Sequence, residues 1–157
     1  MSSDPKRDLL RHTLATLAYR GGKAVRGASP EFAGFSSACR TPAQVLAHIG
    51  DLLDWALSMA EGKQRWQNSE PVPWEKEVAR FFAAAKAFDD FLASSNPLAV
   101  PAERLFQGPI ADALTHVGQI AMMRRLAGIP IKGENYFQAE ITTGRVGADQ
   151  AAPVREF

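Results

Sequence analysis

The apolar residues of this chain recur three and four positions apart in four separate segments, and prolines or glycines interrupt the pattern between the segments. This spacing places apolar side chains along one face of an α-helix, whereas strands require strict alternation. Little of the 157-residue sequence shows that alternation. Amphipathic helices bury their apolar faces by packing against one another. The pattern therefore predicts an all-α protein, with the four helices packed as a four-helix bundle.

Start and stop residues bound the predicted helices. The second helix has the clearest start, with Thr41 as N-cap, Pro42 as first helical residue and Gln44 completing a capping box. The fourth helix is predicted to end before Gly128, a plausible left-handed residue, and Pro130 prevents its continuation. The four helices are predicted over about residues 5–24, 42–62, 73–96 and 110–127, and the segment "AERLFQG" before the last helix is predicted to hold one short turn.

Each of the first three helices has an apolar face that is predicted to enter the core. The faces contain Leu10, Leu14 and Leu17 in the first helix, Val45, His48, Leu52, Trp55 and Met59 in the second, and Trp74, Val78, Phe81, Ala85, Phe88 and Leu92 in the third. Phe32 and Phe35 in the first connection are predicted to fold back onto this core. His12 points away from the leucine face and is expected in solvent.

The chain divides into a predicted bundle over residues 1–131 and a C-terminal tail over residues 132–157. The tail has no helical period and several glycines, which favours irregular structure. Because Tyr136 and Phe137 need apolar contacts, we expect the tail to pack back across the bundle. Glu134 or Tyr136 is predicted to reach the mouth of the pocket described below.

Composition excludes several classes of function. The balance of 18 basic and 17 acidic residues leaves no electrostatic footprint for nucleic acid. No apolar run is long enough for a membrane span, and the N-terminus lacks the apolar region of a secretory signal. The single cysteine, Cys39, cannot form an internal disulfide. A cytoplasmic protein is the simplest interpretation.

The segment "ADALTHVGQIAMMRRLAG" places Asp112 and His116 four residues apart, on the same side of the fourth helix. His48 is the other histidine that periodicity directs inward. Two imidazoles and one carboxylate can form a facial set that holds a metal and leaves positions open for water or substrate. The ligand types suit zinc, iron, nickel or manganese and do not choose among them.

Each of these residues also has a plain structural interpretation. His48 could be a hydrogen-bonded core residue, and Asp112 an acidic residue favoured by the dipole at a helix N-terminus. Gln119 could hydrogen-bond a ligand or a metal-bound water, or lie at the bundle edge. Asp51, one turn after His48, could hold the free N–H of that imidazole, or face solvent.

The stretches "VLAHIGDLLDWAL" and "HVGQIAMMRRLAG" resemble the DinB-like superfamily of metal-binding four-helix proteins. The family's pattern is one histidine on the second helix, then H-x-x-x-H on the last bundle helix, followed closely by G-Q. His48 and His116 match the first and last histidines, and Gly118 and Gln119 match the G-Q pair. The chain departs from the pattern at Asp112, which stands where the family has the first histidine of H-x-x-x-H.

The resemblance implies a metal-dependent enzyme acting on a small molecule, with His48, Asp112 and His116 as metal ligands. A low-molecular-weight thiol bound to the metal would lose its proton and attack an electrophile, as in the bacillithiol- and mycothiol-dependent S-transferases of the family. A bound water would instead support hydrolysis. The alternative is a non-catalytic bundle, such as a ligand- or partner-binding homodimer, in which the metal site has decayed.

Overall fold

The computed structural model describes residues 4–36 and 39–157, and its regular structure is helical. In chain order the helices are α1 (Pro5–Val25), α2 (Pro42–Ala60), α3 (Trp74–Ala93), the single turn α4 (Ala102–Leu105) and α5 (Ala111–Leu126). The described residues contain no β-strand, only one isolated bridge between Glu134 and Glu156. The all-α prediction is confirmed. No helix in the described ranges has the length and apolar content to cross a membrane.

The start of α2 matches the predicted capping box. Thr41 Oγ1 accepts a hydrogen bond from the backbone N–H of Gln44 at 3.3 Å, and the Gln44 side chain accepts one from the Thr41 N–H at 2.9 Å. These two bonds satisfy backbone donors that a helix N-terminus otherwise leaves without partners. At the other end of the helical region, Gly128 has the predicted left-handed backbone, with φ of 79°.

The last helix begins earlier than predicted. The chain is helical from Ala102, and a π-helical turn over Phe106–Ile110 joins α4 to α5 without a break. Pro109 lies inside this turn; it has no N–H to donate, and the wider π-helical turn accommodates it. Asp112 therefore follows another helical turn instead of opening a free helix end. This weakens the interpretation of Asp112 as a residue selected by the helix dipole alone.

The four long helices share one apolar core. Helix α2 packs against α3 and α5, and α1 packs against the same two helices. The predicted faces largely enter this core, and the residues from them that are buried are Leu10, Leu14, Leu17, Val45, Leu52, Trp74, Phe81, Ala85, Phe88 and Leu92. Phe32 is also buried, with its ring edge-on to Trp74 at 5.7 Å between centroids. His12 is exposed, as expected.

The C-terminal tail lies against α1. Glu134 is buried and accepts hydrogen bonds from Tyr19 Oη at 2.5 Å and Lys23 Nζ at 2.8 Å. Tyr136 packs edge-on to Tyr19, and the Arg20 guanidinium lies over its ring at 4.2 Å. These contacts make the tail part of the folded structure. Phe137, in contrast, is fully exposed.

A close approach of α1 to α3 depends on Gly21. A methyl carbon added at this position would lie 2.6 Å from Cζ of the buried Phe81 ring. Added bulk in a packed core typically costs about 1–3 kcal/mol, which outweighs the gain of up to about 1 kcal/mol for glycine to alanine in a helix. We therefore expect Gly21→Ala to lower the free energy of unfolding by about 1–2 kcal/mol in urea denaturation.

Gly22→Ala is the matched control, because a methyl carbon there would lie 3.4 Å from its nearest neighbour, Cζ of Phe82. It should leave stability unchanged or raise it by up to about 1 kcal/mol. A similar rise for both variants would show that the α1–α3 approach has room for a side chain at residue 21.

Candidate metal centre

Helices α2 and α5 bring His48, Asp112 and His116 together. The Asp112 carboxylate lies 3.9 Å from His48 Nε2 through Oδ2 and 3.5 Å from His116 Nε2 through Oδ1. The two imidazole rings are 4.7 Å apart between centroids and nearly perpendicular. One ligand-type atom from each residue falls within a cluster no more than 4.8 Å across. The structure thus brings together the three residues predicted as ligands.

The separations within this cluster suit a shared cation better than direct hydrogen bonds. Hydrogen bonds between nitrogen and a carboxylate are usually about 2.7–3.2 Å long. Ligand atoms about 2.0–2.2 Å from one metal ion are separated by about 3.0–3.5 Å. The 3.5 Å spacing of His116 and Asp112 falls in the second range, and the 3.9 Å spacing of His48 and Asp112 exceeds it by a small amount. The donor set therefore fits a divalent metal after small side-chain movements.

Gln119 orients the His116 ring. Its Oε1 lies 2.8 Å from His116 Nδ1, and because an amide oxygen only accepts, Nδ1 donates the proton of this hydrogen bond. The lone pair is then on Nε2, the nitrogen that faces Asp112. Such a partner fixes both the tautomer and the ring orientation of a metal-binding histidine. Gln119 thus contacts one of the three candidate ligands.

The environment of His48 favours its neutral form. Its side chain is 19% exposed, against 14% for His116 and 50% for Asp112. Burial is the main cause that lowers the pKa of His48, and the neighbouring His116 and the Arg40 guanidinium lower it further. A neutral imidazole keeps the lone pair that a metal requires. The half-exposed carboxylate leaves the cluster open to solvent on one side.

A pair of packed tryptophan rings lies beside His48. The Trp66 ring lies edge-on to His48, with 5.7 Å between centroids, and also edge-on to Trp55 at 5.7 Å. Trp55 was predicted in the core; it is partly buried and packs at the core's edge. Trp66 belongs to the loop between α2 and α3, so helical periodicity gave no reason to expect it at the site.

Asp51 anchors that loop instead of orienting His48, which corrects the sequence-based prediction. Its buried carboxylate accepts hydrogen bonds from the Ser69 N–H at 2.8 Å, the Ser69 hydroxyl at 2.7 Å and Arg80 at 2.6 Å. These donors, together with the charge of Arg80, hold the pKa of Asp51 low despite its burial. Asp51 thereby fixes the loop that carries Trp66. Asp51 is therefore connected to His48 only through this loop. The alternative that Asp51 faces solvent is also wrong, because the residue is buried.

Glu134 is engaged elsewhere, which corrects the prediction that it reaches the mouth of the metal pocket. Its side chain is fully buried between Tyr19 and Lys23 of α1. Tyr136 packs on the same helix, against Tyr19 and Arg20. Glu134 lies against α1 because a buried carboxylate needs a partner of opposite charge, and Lys23 supplies it.

A cavity of about 510 Å³ adjoins the cluster on the α5 side. His116 and Gln119 contribute its polar edge, Arg40 lies at its rim, and the remaining lining residues are Cys39, Val45, Met122, Met123 and Leu126. Its size is in the range of small-molecule sites in proteins, about 300–1,000 Å³. Arg40 immediately precedes Thr41, the N-cap of α2, and the sequence pattern predicts no function for that position.

Comparison of the chain with protein-family models, with curated proteins and with solved structures gives no match. The geometry and chemistry of the site are therefore the basis for any functional conclusion.

Proposed function

We propose that this protein is a metal-dependent enzyme of the DinB-like type, a four-helix bundle whose divalent metal is held by His48, Asp112 and His116. The observation that carries the proposal is the convergence of these three side chains, from two helices, on one space. The resemblance in sequence supports the same assignment at His48, His116 and the Gly118–Gln119 pair. Asp112 would supply a carboxylate where the family has a histidine.

The chemistry of the donor set suits catalysis rather than a purely structural metal. Structural zinc sites are usually closed by four protein ligands, whereas catalytic sites keep a position open. Three ligands converge here, and the half-exposed Asp112 leaves solvent access. A divalent ion bound in such a site lowers the pKa of a water or thiol that joins it. Either nucleophile would act on a small electrophile in the adjoining cavity.

The residues around the cluster have supporting roles in this proposal. Gln119 holds His116 with Nε2 toward the cluster, and the Trp66 ring packs edge-on against His48. Asp51 acts one step further out, because it fixes the loop that carries Trp66. We regard Gln119 and Asp51 as positioning residues.

Metal binding is the first test of the proposal. Protein stripped with a chelator should take up one divalent ion per chain, with micromolar or tighter affinity, when titrated with Zn²⁺, Ni²⁺, Mn²⁺ or Fe²⁺ against a competing indicator. Circular dichroism on the same sample establishes that the protein is folded. Folded protein that binds none of these ions at micromolar concentration would contradict the proposal.

Turnover separates the two enzymatic versions from the non-catalytic alternative. The metal-loaded protein would be assayed with p-nitrophenyl acetate for hydrolysis, and with cysteine plus 1-chloro-2,4-dinitrobenzene for S-transfer. In the second reaction a carbon–sulfur bond forms, chloride leaves and the thiol proton passes to the buffer. We expect metal-dependent turnover in one assay. A metal-loaded protein with none across a panel of esters and electrophiles would favour a ligand-binding bundle.

A further inference from the structure

The cavity beside His116 has two chemically different parts. One part is an apolar wall formed by Val45, Met122, Met123 and Leu126. Met122 and Leu126 each have more than half of their surface exposed. Apolar side chains left open in a concave site are typical of ligand-binding surfaces. This part of the cavity therefore suits an apolar body of a few carbon atoms.

Arg40 gives the cavity a positive charge. Arg40 is exposed at the rim, and within the described part of the chain its guanidinium takes part in no ion pair or hydrogen bond. Arg40 and His116 line the same cavity, so the guanidinium lies on the side of the cavity shared with the three candidate ligands. A single guanidinium can pair with one carboxylate through two parallel hydrogen bonds.

We propose that the cavity is a substrate subsite for a small monocarboxylate with an apolar chain, the carboxylate pairing with Arg40 and the chain lying on Met122 and Leu126. The role as a substrate site rests on the proposed function, because the reactive group of the substrate would have to face His48, Asp112 and His116. The binding itself depends on Arg40 and the apolar wall, which are independent of the metal.

The test compares hexanoate with hexanamide, which has the same chain but no charge, in ¹H–¹⁵N chemical-shift titrations of zinc-loaded and metal-free protein. We expect shifts at the amides of residues 39–41, 43–45 and 116–126, and at least about tenfold tighter binding of hexanoate. Arg40→Gln should bring the two dissociation constants to within about twofold. Arg125→Gln is the matched control, because Arg125 is an exposed arginine of α5 that does not line this cavity; this variant should preserve the difference between the two dissociation constants.

Leu126→Ser should weaken both probes alike, because it removes apolar contact without changing charge. The inference is overturned if hexanoate binds no better than hexanamide, if Arg40→Gln leaves the difference intact, or if the shifted amides lie elsewhere. Zinc titration of the same samples separates the two proposals. Hexanoate selectivity in a folded protein that takes up no metal would support the carboxylate subsite and overturn the metalloenzyme.

Discussion

Replacing His116 with alanine is expected to reduce Zn²⁺ affinity by more than about 100-fold, the upper end of the loss seen when a residue that only supports a metal ligand is removed. The reason is geometric, since Asp112 and His48 alone, 3.9 Å apart, offer two donors on one side of the ion. His48→Ala should have an equal effect. Competition with a chromophoric zinc chelator measures both constants, and thermal melting of the metal-free proteins shows whether the fold is retained.

His12→Ala is the control for loss of an imidazole, because His12 is exposed on α1 and lies 3.4 Å from Thr143, away from the candidate metal centre. Its zinc affinity should match the unmodified protein. Asp112→His, which introduces an imidazole in place of the carboxylate, should retain metal, whereas Asp112→Ala should lose it. Unchanged affinity in His48→Ala and His116→Ala would place the ion elsewhere and contradict the assigned centre.

Replacing Lys23 with methionine is expected to lower the free energy of unfolding by about 3–5 kcal/mol, because it leaves a buried carboxylate without its counter-charge. Lys23 donates to Glu134 at 2.8 Å and to Glu156 at 3.1 Å, and the Glu134 side chain has no solvent exposure. Tyr19 stays a hydrogen-bond donor to Glu134, since burial and the neighbouring carboxylate raise its pKa. Urea denaturation at neutral pH measures the change.

Lys86→Met is the matched control, since Lys86 pairs with Asp90 on the exposed face of α3. That pair should contribute less than about 1 kcal/mol. Adding Glu134→Gln to Lys23→Met should recover part of the lost stability, because it removes the stranded charge. A loss for Lys23→Met no larger than that for Lys86→Met would mean that the tail does not depend on this ion pair.

The parts of the site that lie on regular helices could be predicted from sequence. The apolar spacing of α2 predicted the inward direction of His48, and a four-residue interval placed Asp112 beside His116. Gln119, one further turn along, follows from the same period. These predictions used only the periodicity within single helices, together with the rule that helices pack with their apolar faces against one another.

The parts that depend on long-range pairing could not be predicted in the same way. Asp51 is paired with Ser69 and Arg80, and Glu134 with Lys23, across intervals for which no local pattern exists. Trp66 packs against His48 from the same loop that Asp51 holds through Ser69. The short turn predicted in "AERLFQG" is present as α4, but its continuity with the last helix was not predicted, because it depends on a π-helical turn that accommodates Pro109.

The position of the bound ion tests the central claim most directly. Crystals of the zinc-loaded protein, measured at the zinc absorption edge, would locate the ion by anomalous scattering. The account predicts one peak per chain, about 2.0–2.2 Å from Nε2 of His48, Nε2 of His116 and an Asp112 carboxylate oxygen. A zinc-loaded protein whose anomalous peak lies away from these three side chains would contradict it.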